Sequence, residues 1–295
     1  MILSKSRVGY RNLRLWVALA ALFVTQMASA QPIYETTVVG QTPNNYWRLN
    51  EATGTTAAAR VGTVTGTYMN AAVGQTGPRP PAFPGFEGGN NAVGFDGASS
   101  FIDMGTSLLN DRPAVSLTGW FFQTAPQPVN RVGLFGQNDA VEFGFISPSV
   151  IQFWTPAGGS VNANYDQTLN NSWVHVAGVA NGTDIRVYLN GALIATGGTV
   201  TSNYGSSADP FRIGGGGIFD TTGNFFTGMI DEVSVFGRAL TASEVQGQFL
   251  AAVTPVPEPA TWLLTATGML GTLAGAWRSR RSVRARRDLD AGVAS

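Results

Sequence analysis

The chain has 295 residues, no cysteine, and 18 basic residues balancing 18 acidic ones. That length admits one large β domain or two smaller ones, and the missing thiols exclude disulfides, cysteine nucleophiles and thiolate metal sites. The zero net charge hides a segregation: residues 31–256 carry 8 arginines, no lysine and 15 acidic residues, a net −7, which repels phosphate backbones and argues against nucleic acid as a partner.

At the front, Lys5, Arg7, Arg11 and Arg14 lead into LWVALAALFVTQMASA (15–30), an apolar run closing on Ala28-Ser29-Ala30. A basic start, a short apolar core and a small-x-small close predict a cleavable secretory signal over residues 1–30, cut before Gln31. The core is too short for a comfortable membrane anchor. Residues 31–253 are then expected to form one exported domain.

Through that domain, short alternating segments are separated by Gly, Asn, Asp and Pro turns, the pattern of an antiparallel all-β sandwich. NYWRLNEATGTT (45–56) reads as the first strand, residues 74–92 as a proline-rich loop, and SLTGWFF and WVHVAGVANG (173–182) as strands. In DIRVYLNGALIAT (184–196), Asn190-Gly191 marks a hairpin, because both residues tolerate positive φ. One helix is predicted, LTASEVQGQFLAAV (240–253), with Thr241 as its cap and Glu244 three residues on as a capping box.

After it the chain changes character. Pro257-Glu258-Pro259 holds the backbone extended, and 18 uncharged residues follow, from Ala260 to Trp277. Such a run is just long enough for a membrane helix at about 260–277. Arg278, Arg280 and Arg281 come next, as a cytoplasmic flank requires, and 282–295 is a basic tail expected to be disordered.

Two resemblances follow from these residues. The Pro-Glu-Pro motif, apolar rod and arginine cluster, in that order over 254–281, closely resemble the PEP-CTERM sorting signal of Gram-negative bacteria. The resemblance implies recognition by an exosortase, passage through the inner membrane, and delivery to the cell surface, outer membrane or exopolymer matrix. Within the body, AVGFDGASSFIDMG (92–105), SLTGWFF, WVHVAGVANGTDIRVYLNGALIAT, FRIGGG (211–216) and FTGMIDEVSVFGRALTASEV (226–245) are similar, in order, to the laminin G-like or concanavalin A-like lectin/glucanase superfamily. That implies a two-sheet antiparallel jelly roll.

Such a sandwich hosts lectins, hydrolases and inert spacers alike, so chemistry is weighed on residues. Laminarinase- and agarase-like relatives carry Glu-x-Asp-x-x-Glu on one strand. Here the matching stretch is Gln137-Asn138-Asp139-Ala140-Val141-Glu142, whose first position cannot be a nucleophile, so a turn is expected and catalysis is not. His175, the sole histidine, alternates with apolar neighbours and reads as structural, without a G-x-S-x-G elbow to serve. The glycines at 214–217 precede no Gly-Lys-Ser/Thr and form no phosphate loop. The resemblance further implies one structural calcium, with Glu51 and Asp231 as its matching carboxylates, although Ala58-Ala59-Arg60 stands where another aspartate is usual. For a glycan or exopolysaccharide partner, the candidates are aromatics that could stack on a sugar face, Trp154, Tyr165, Tyr204 and Phe219, with Asn162 and Asn164 beside them. The expected function is non-catalytic glycan or protein recognition, or adhesion. The alternatives are a matrix protein without a discrete ligand and a glycoside hydrolase with an atypical site.

Overall fold

A computed structural model describes residues 33–255. The signal segment, Pro257-Glu258-Pro259, the rod at 260–277 and Arg278, Arg280 and Arg281 lie outside the described residues. Among the described residues, no helix is long and apolar enough to cross a membrane.

The chain begins with α1 (Ile33–Gly40), then β1 (Asn45–Trp47), β2 (Thr56–Ala57), β3 (Ala59–Val61), β4 (Gly66–Met69), β5 (Ala72–Thr76), β6 (Asn91–Asp96), β7 (Phe101–Asp103) and β8 (Val115–Phe122). Next come β9 (Val132–Gly133), β10 (Phe135–Gly136), β11 (Glu142–Ser147), β12 (Val150–Thr155) and β13 (Gly159–Asn164). The last elements are β14 (Trp173–Ala180), β15 (Ile185–Leu189), β16 (Ala192–Gly197), β17 (Arg212–Ile213), β18 (Thr227–Phe236) and α2 (Ala242–Val253). Every strand pairing is antiparallel, and the expected sandwich is what forms.

One layer is a nine-stranded sheet ordered β16-β15-β14-β8-β18-β1-β3, with β6 on β18 and β5 on β6. Its central strands have no solvent face. All eight residues of β14 are buried, as are seven of eight in β8, so both sides need cover. On the inner side lie a five-stranded sheet, β10-β17-β7-β4-β2, and a four-stranded sheet, β13-β12-β11-β9. Phe121, Phe143, Phe145, Phe153 and Val176 fill the space between the layers. Gly178 matters there, because any β-carbon would collide with the ring of Phe153.

The outer side of the large sheet is covered by the two helices. Tyr34 and Val38 of α1, with Val245 and Ala252 of α2, pack with Trp120, Trp173, Ala177 and Tyr188. α2 is capped as its sequence predicts: Glu244 N–H donates to Thr241 Oγ1 at 3.2 Å, and Thr241 N–H donates to Glu244 Oε2 at 2.8 Å. Likewise Asn190 (φ 49°) and Gly191 (φ 76°) make the β15–β16 turn with both residues left-handed. α1 was not foreseen. Its sequence, IYETTVVG, is poor in strong helix formers, and tertiary contacts hold it: Glu35 pairs with Arg60 and, at 3.1 Å, with Arg48.

Arg48 anchors a charged knot at the join of α1, β1 and β18. Its guanidinium also meets Glu87 Oε1 at 2.5 Å and Glu232 Oε1 at 3.2 Å, while Tyr46 Oη donates to Glu232. Asp231 and Glu232 sit where β18 slips register against β8, with Glu232 left-handed at φ 56°. Burial raises the pKa of both carboxyls, and Arg48 opposes that rise.

Candidate functional site

The four-stranded sheet has one face in the core and one outside, and its sequences alternate to suit. In β12 Ile151, Phe153 and Thr155 point inward, leaving Gln152 and Trp154 partly open; in β13 Val161 and Ala163 point inward, leaving Asn162 and Asn164 exposed. The register aligns the outward residues. Glu142 lies opposite Trp154, Trp154 opposite Ser160, and Gln152 opposite Asn162, whose Oδ1 accepts from Gln152 Nε2 at 2.8 Å.

A cavity of ≈ 260 Å³ opens on this face, lined by Arg131, Asp139, Glu142, Ile146, Gln152, Trp154 and Phe219. Ligand pockets for drug-sized molecules begin near ~300 Å³, so the space suits a single ring more than a chain. Arg131, left-handed at φ 60° just before β9, crosses the Phe219 ring at 5.9 Å and pairs with Asp220 at 3.1 Å. Glu142 is only 5 % exposed. Its Oε1 accepts from Asp139 N–H at 3.1 Å, a bond within the turn, and its other oxygen accepts no hydrogen bond from the described residues. Burial, with the Asp139 charge adding to it, pushes the carboxyl up to about 7. Near neutral pH it can therefore donate a hydrogen bond as well as accept one.

Of the expected ligand-binding aromatics, only Trp154 keeps a partly open ring. Tyr165 and Tyr204 are corrections. They are 3 % and 0 % exposed and belong to the inner core, Tyr165 edge-on to Phe145 at 5.2 Å and Tyr204 donating through its hydroxyl to the Asp184 carbonyl at 3.4 Å. Large aromatics dominate sandwich interiors, and these two sit in the interior. Phe219 also lines the cavity while staying 3 % exposed. Arg131, Gln152 and Asp220 were missed. The in-phase polar residues of VIQFWT (150–155) and GSVNAN (159–164) were the available signal for the face.

The other sequence candidates take structural places. Gln137 is fully buried, accepting from Leu108 and Leu109 N–H at 2.8 and 3.0 Å and donating to Asn110 Oδ1 at 2.6 Å, and Asp139 turns the chain at φ 56°. His175 is fully buried under α2, with Nε2 at 3.1 Å from Gln248 Oε1; burial lowers its pKa to about 4, so it is neutral. The glycines at 214–217 all have positive φ and open no helix.

The calcium pair does not fit as expected. Glu51 already accepts from Ala58 N–H and Tyr68 Oη at 2.8 and 2.6 Å, one bond on each oxygen. Asp231 is fully buried, its Oδ2 held by Asn90 Nδ2 at 2.8 Å and its Oδ1 without a hydrogen-bond partner. No hydrogen bond joins the two, and among the described residues no three His, Cys, Asp or Glu side chains converge. Calcium takes six to eight oxygens.

Two stacked antiparallel layers closed over a shared apolar core define an antiparallel β-sandwich. The family model of the concanavalin A-like lectin/glucanase superfamily matches residues 96–246, and the chain belongs to that superfamily. The PEP-CTERM protein-sorting motif matches residues 255–281; it marks bacterial chains for exosortase-dependent export to the cell surface or beyond. No curated protein matches the chain. Among solved structures it is similar to domain 4 of AbnA, a GH43 extracellular arabinanase from Geobacillus stearothermophilus in complex with arabinotriose (17 % identity, TM-score 0.42, 70 % of this chain and 97 % of that one). A putative carbohydrate binding protein from Bacteroides ovatus aligns at 17 % identity and TM-score 0.44, over 53 % of this chain and 46 % of that one. A sialidase from Trypanosoma rangeli aligns at 14 % and 0.49, over 70 % and 32 %. The chain thus spans about half the length of the second and a third of the sialidase.

Proposed function

We propose that the protein is a non-catalytic glycan-recognition module, exported and displayed at the outer membrane or in the exopolymer matrix of a Gram-negative bacterium. The observation that carries this reading is the cavity at Trp154, where a half-buried ring stands beside Glu142, Gln152 and Asn162 on an open sheet face. Sugar rings stack an apolar face on indole while amides and carboxyls grip their hydroxyls. A glycan array probed with the full-length protein and with Trp154→Ala tests it. Saturable binding by the first and at least about a tenfold loss in the second is expected; equal signals from both, or none from either, would favour a matrix protein without a discrete ligand.

A second reading has one observation in its favour. Glu142, with a carboxyl near 7, is poised as a general acid. Its lining neighbour Asp139 would have to serve as the second carboxylate, and Asp139 is an exposed turn residue. Hydrolysis of exopolysaccharide by the wild type, abolished in Glu142→Gln, would establish an enzyme; no turnover in either is expected.

A further inference from the structure

The charges around the cavity are lopsided. Arg131, its one lining cation, is engaged by Asp220 at 3.1 Å, and residues 31–256 contain no lysine. Asp139 and Glu142 line the space, and among the described residues neither has an ion pair. Asp209 stands close behind, since Asn138 Nδ2 donates to both Asp139 Oδ2 and Asp209 Oδ2 at 3.2 Å. A uronate or sulfate entering here would meet like charge without a free cation to receive it, which selects against acidic polysaccharides. A neutral sugar would cover these carboxyls with only Arg131, already paired with Asp220, to offset their charge, at a desolvation cost. Glu142 is 5 % exposed and its second oxygen accepts no hydrogen bond from the described residues, so it is available to a donor on the ligand.

We propose that this cavity takes a sugar with a free protonated amine, a 2-amino-2-deoxyhexose unit of a de-acetylated glycan, with its ring against Trp154 and its ammonium held by Glu142 and Asp139. The assignment rests on the glycan-recognition reading and narrows it. An ammonium forms charge-assisted hydrogen bonds to carboxylates, and a cation near an indole face gains further.

Calorimetric titration of the full-length protein near pH 7, where Glu142 is partly ionised, tests this with three probes: glucosamine tetramer, N-acetylglucosamine tetramer and tetralysine. The first two differ only in the acetyl groups that remove the charge. Glucosamine tetramer is expected to bind about tenfold tighter than its acetylated counterpart, with the preference shrinking as salt is raised. Asp139→Asn, at an exposed turn position, and Glu142→Gln should erase the preference while keeping a native circular-dichroism spectrum; Trp154→Ala should weaken both sugars. Acetylated tetramer binding equally well or better overturns the proposal and leaves glycan recognition standing. Binding of neither sugar overturns the amino-sugar assignment, and the glycan array then decides whether another glycan is recognised. Tetralysine matching the amino sugar would also overturn it, by making the cavity a site for cationic peptide.

Discussion

Arg48 shows how one side chain can hold incompatible neighbours in place. Its guanidinium is 16 % exposed and faces Glu35 and Glu232, 5 % and 0 % exposed. Removing it leaves the buried Glu232 without a cation and Glu35 with Arg60 alone, which costs about 3–5 kcal/mol. Arg48→Ala should lower stability by that order in denaturant titrations near neutral pH. Because the raised Glu232 carboxyl can protonate, the deficit should shrink as pH falls below neutral; a deficit that does not change with pH would contradict the assignment. None of this was legible in the sequence, where Arg48 and Glu232 are separated by 184 positions. The same limit explains the aromatics. Trp154, Tyr165 and Tyr204 look alike in sequence, and only strand phase and the opposing layer separate the open ring from the two buried ones. His175 was readable as structural because Val174 and Val176 alternate with it along a strand, but that pattern implies only one covered face; the cover over His175 itself comes from α2.

Elements whose cause is local were the readable ones. α2 announces itself through Thr241 and Glu244, and Arg238 strengthens the start by meeting Glu244 Oε1 at 2.6 Å, which holds that carboxyl down at about 2. Thr241→Ala should destabilise the domain by about 1 kcal/mol, read as a lowered midpoint in denaturant without a change in slope. An unchanged midpoint would mean that packing of Val245 and Ala252 alone holds the helix. The Asn190-Gly191 hairpin was legible for the same reason. α1 was not, since its eight residues carry no cap or strong periodicity and depend on Tyr34 and Val38 finding Trp120 and Tyr188 beneath them. The slip in β18 at Asp231 and Glu232 likewise follows from packing between strands far apart in sequence.

Across the whole molecule, the buried ionisable groups set a pH optimum. Glu142 titrates at about 7 when folded, against 4.5 when free, and the Asp231–Glu232 pair is raised in the same direction. The folded state therefore holds protons that the unfolded chain releases, and stability is lost as pH rises from about 4.5 to 7. His175 acts the other way: folded at about 4 against 6.5 when free, it removes stability as pH falls through that interval. Three raised carboxyls outweigh one imidazole until acid begins to neutralise the favourable ionisation of Glu244 and Asp96, both lowered. Thermal melts should therefore show a maximum at about pH 5. A maximum at pH 7 or above would mean that the buried carboxylates are ionised and better solvated than their packing implies.

Both ends of the described domain, Ile33 in α1 and Val253 in α2, belong to helices on the outer side of the large sheet, while Trp154 opens from the far side of the opposite layer. Within this domain the helices that carry its two ends therefore lie on the side away from the open tryptophan, so a label or support joined to either helix would leave the Trp154 face clear.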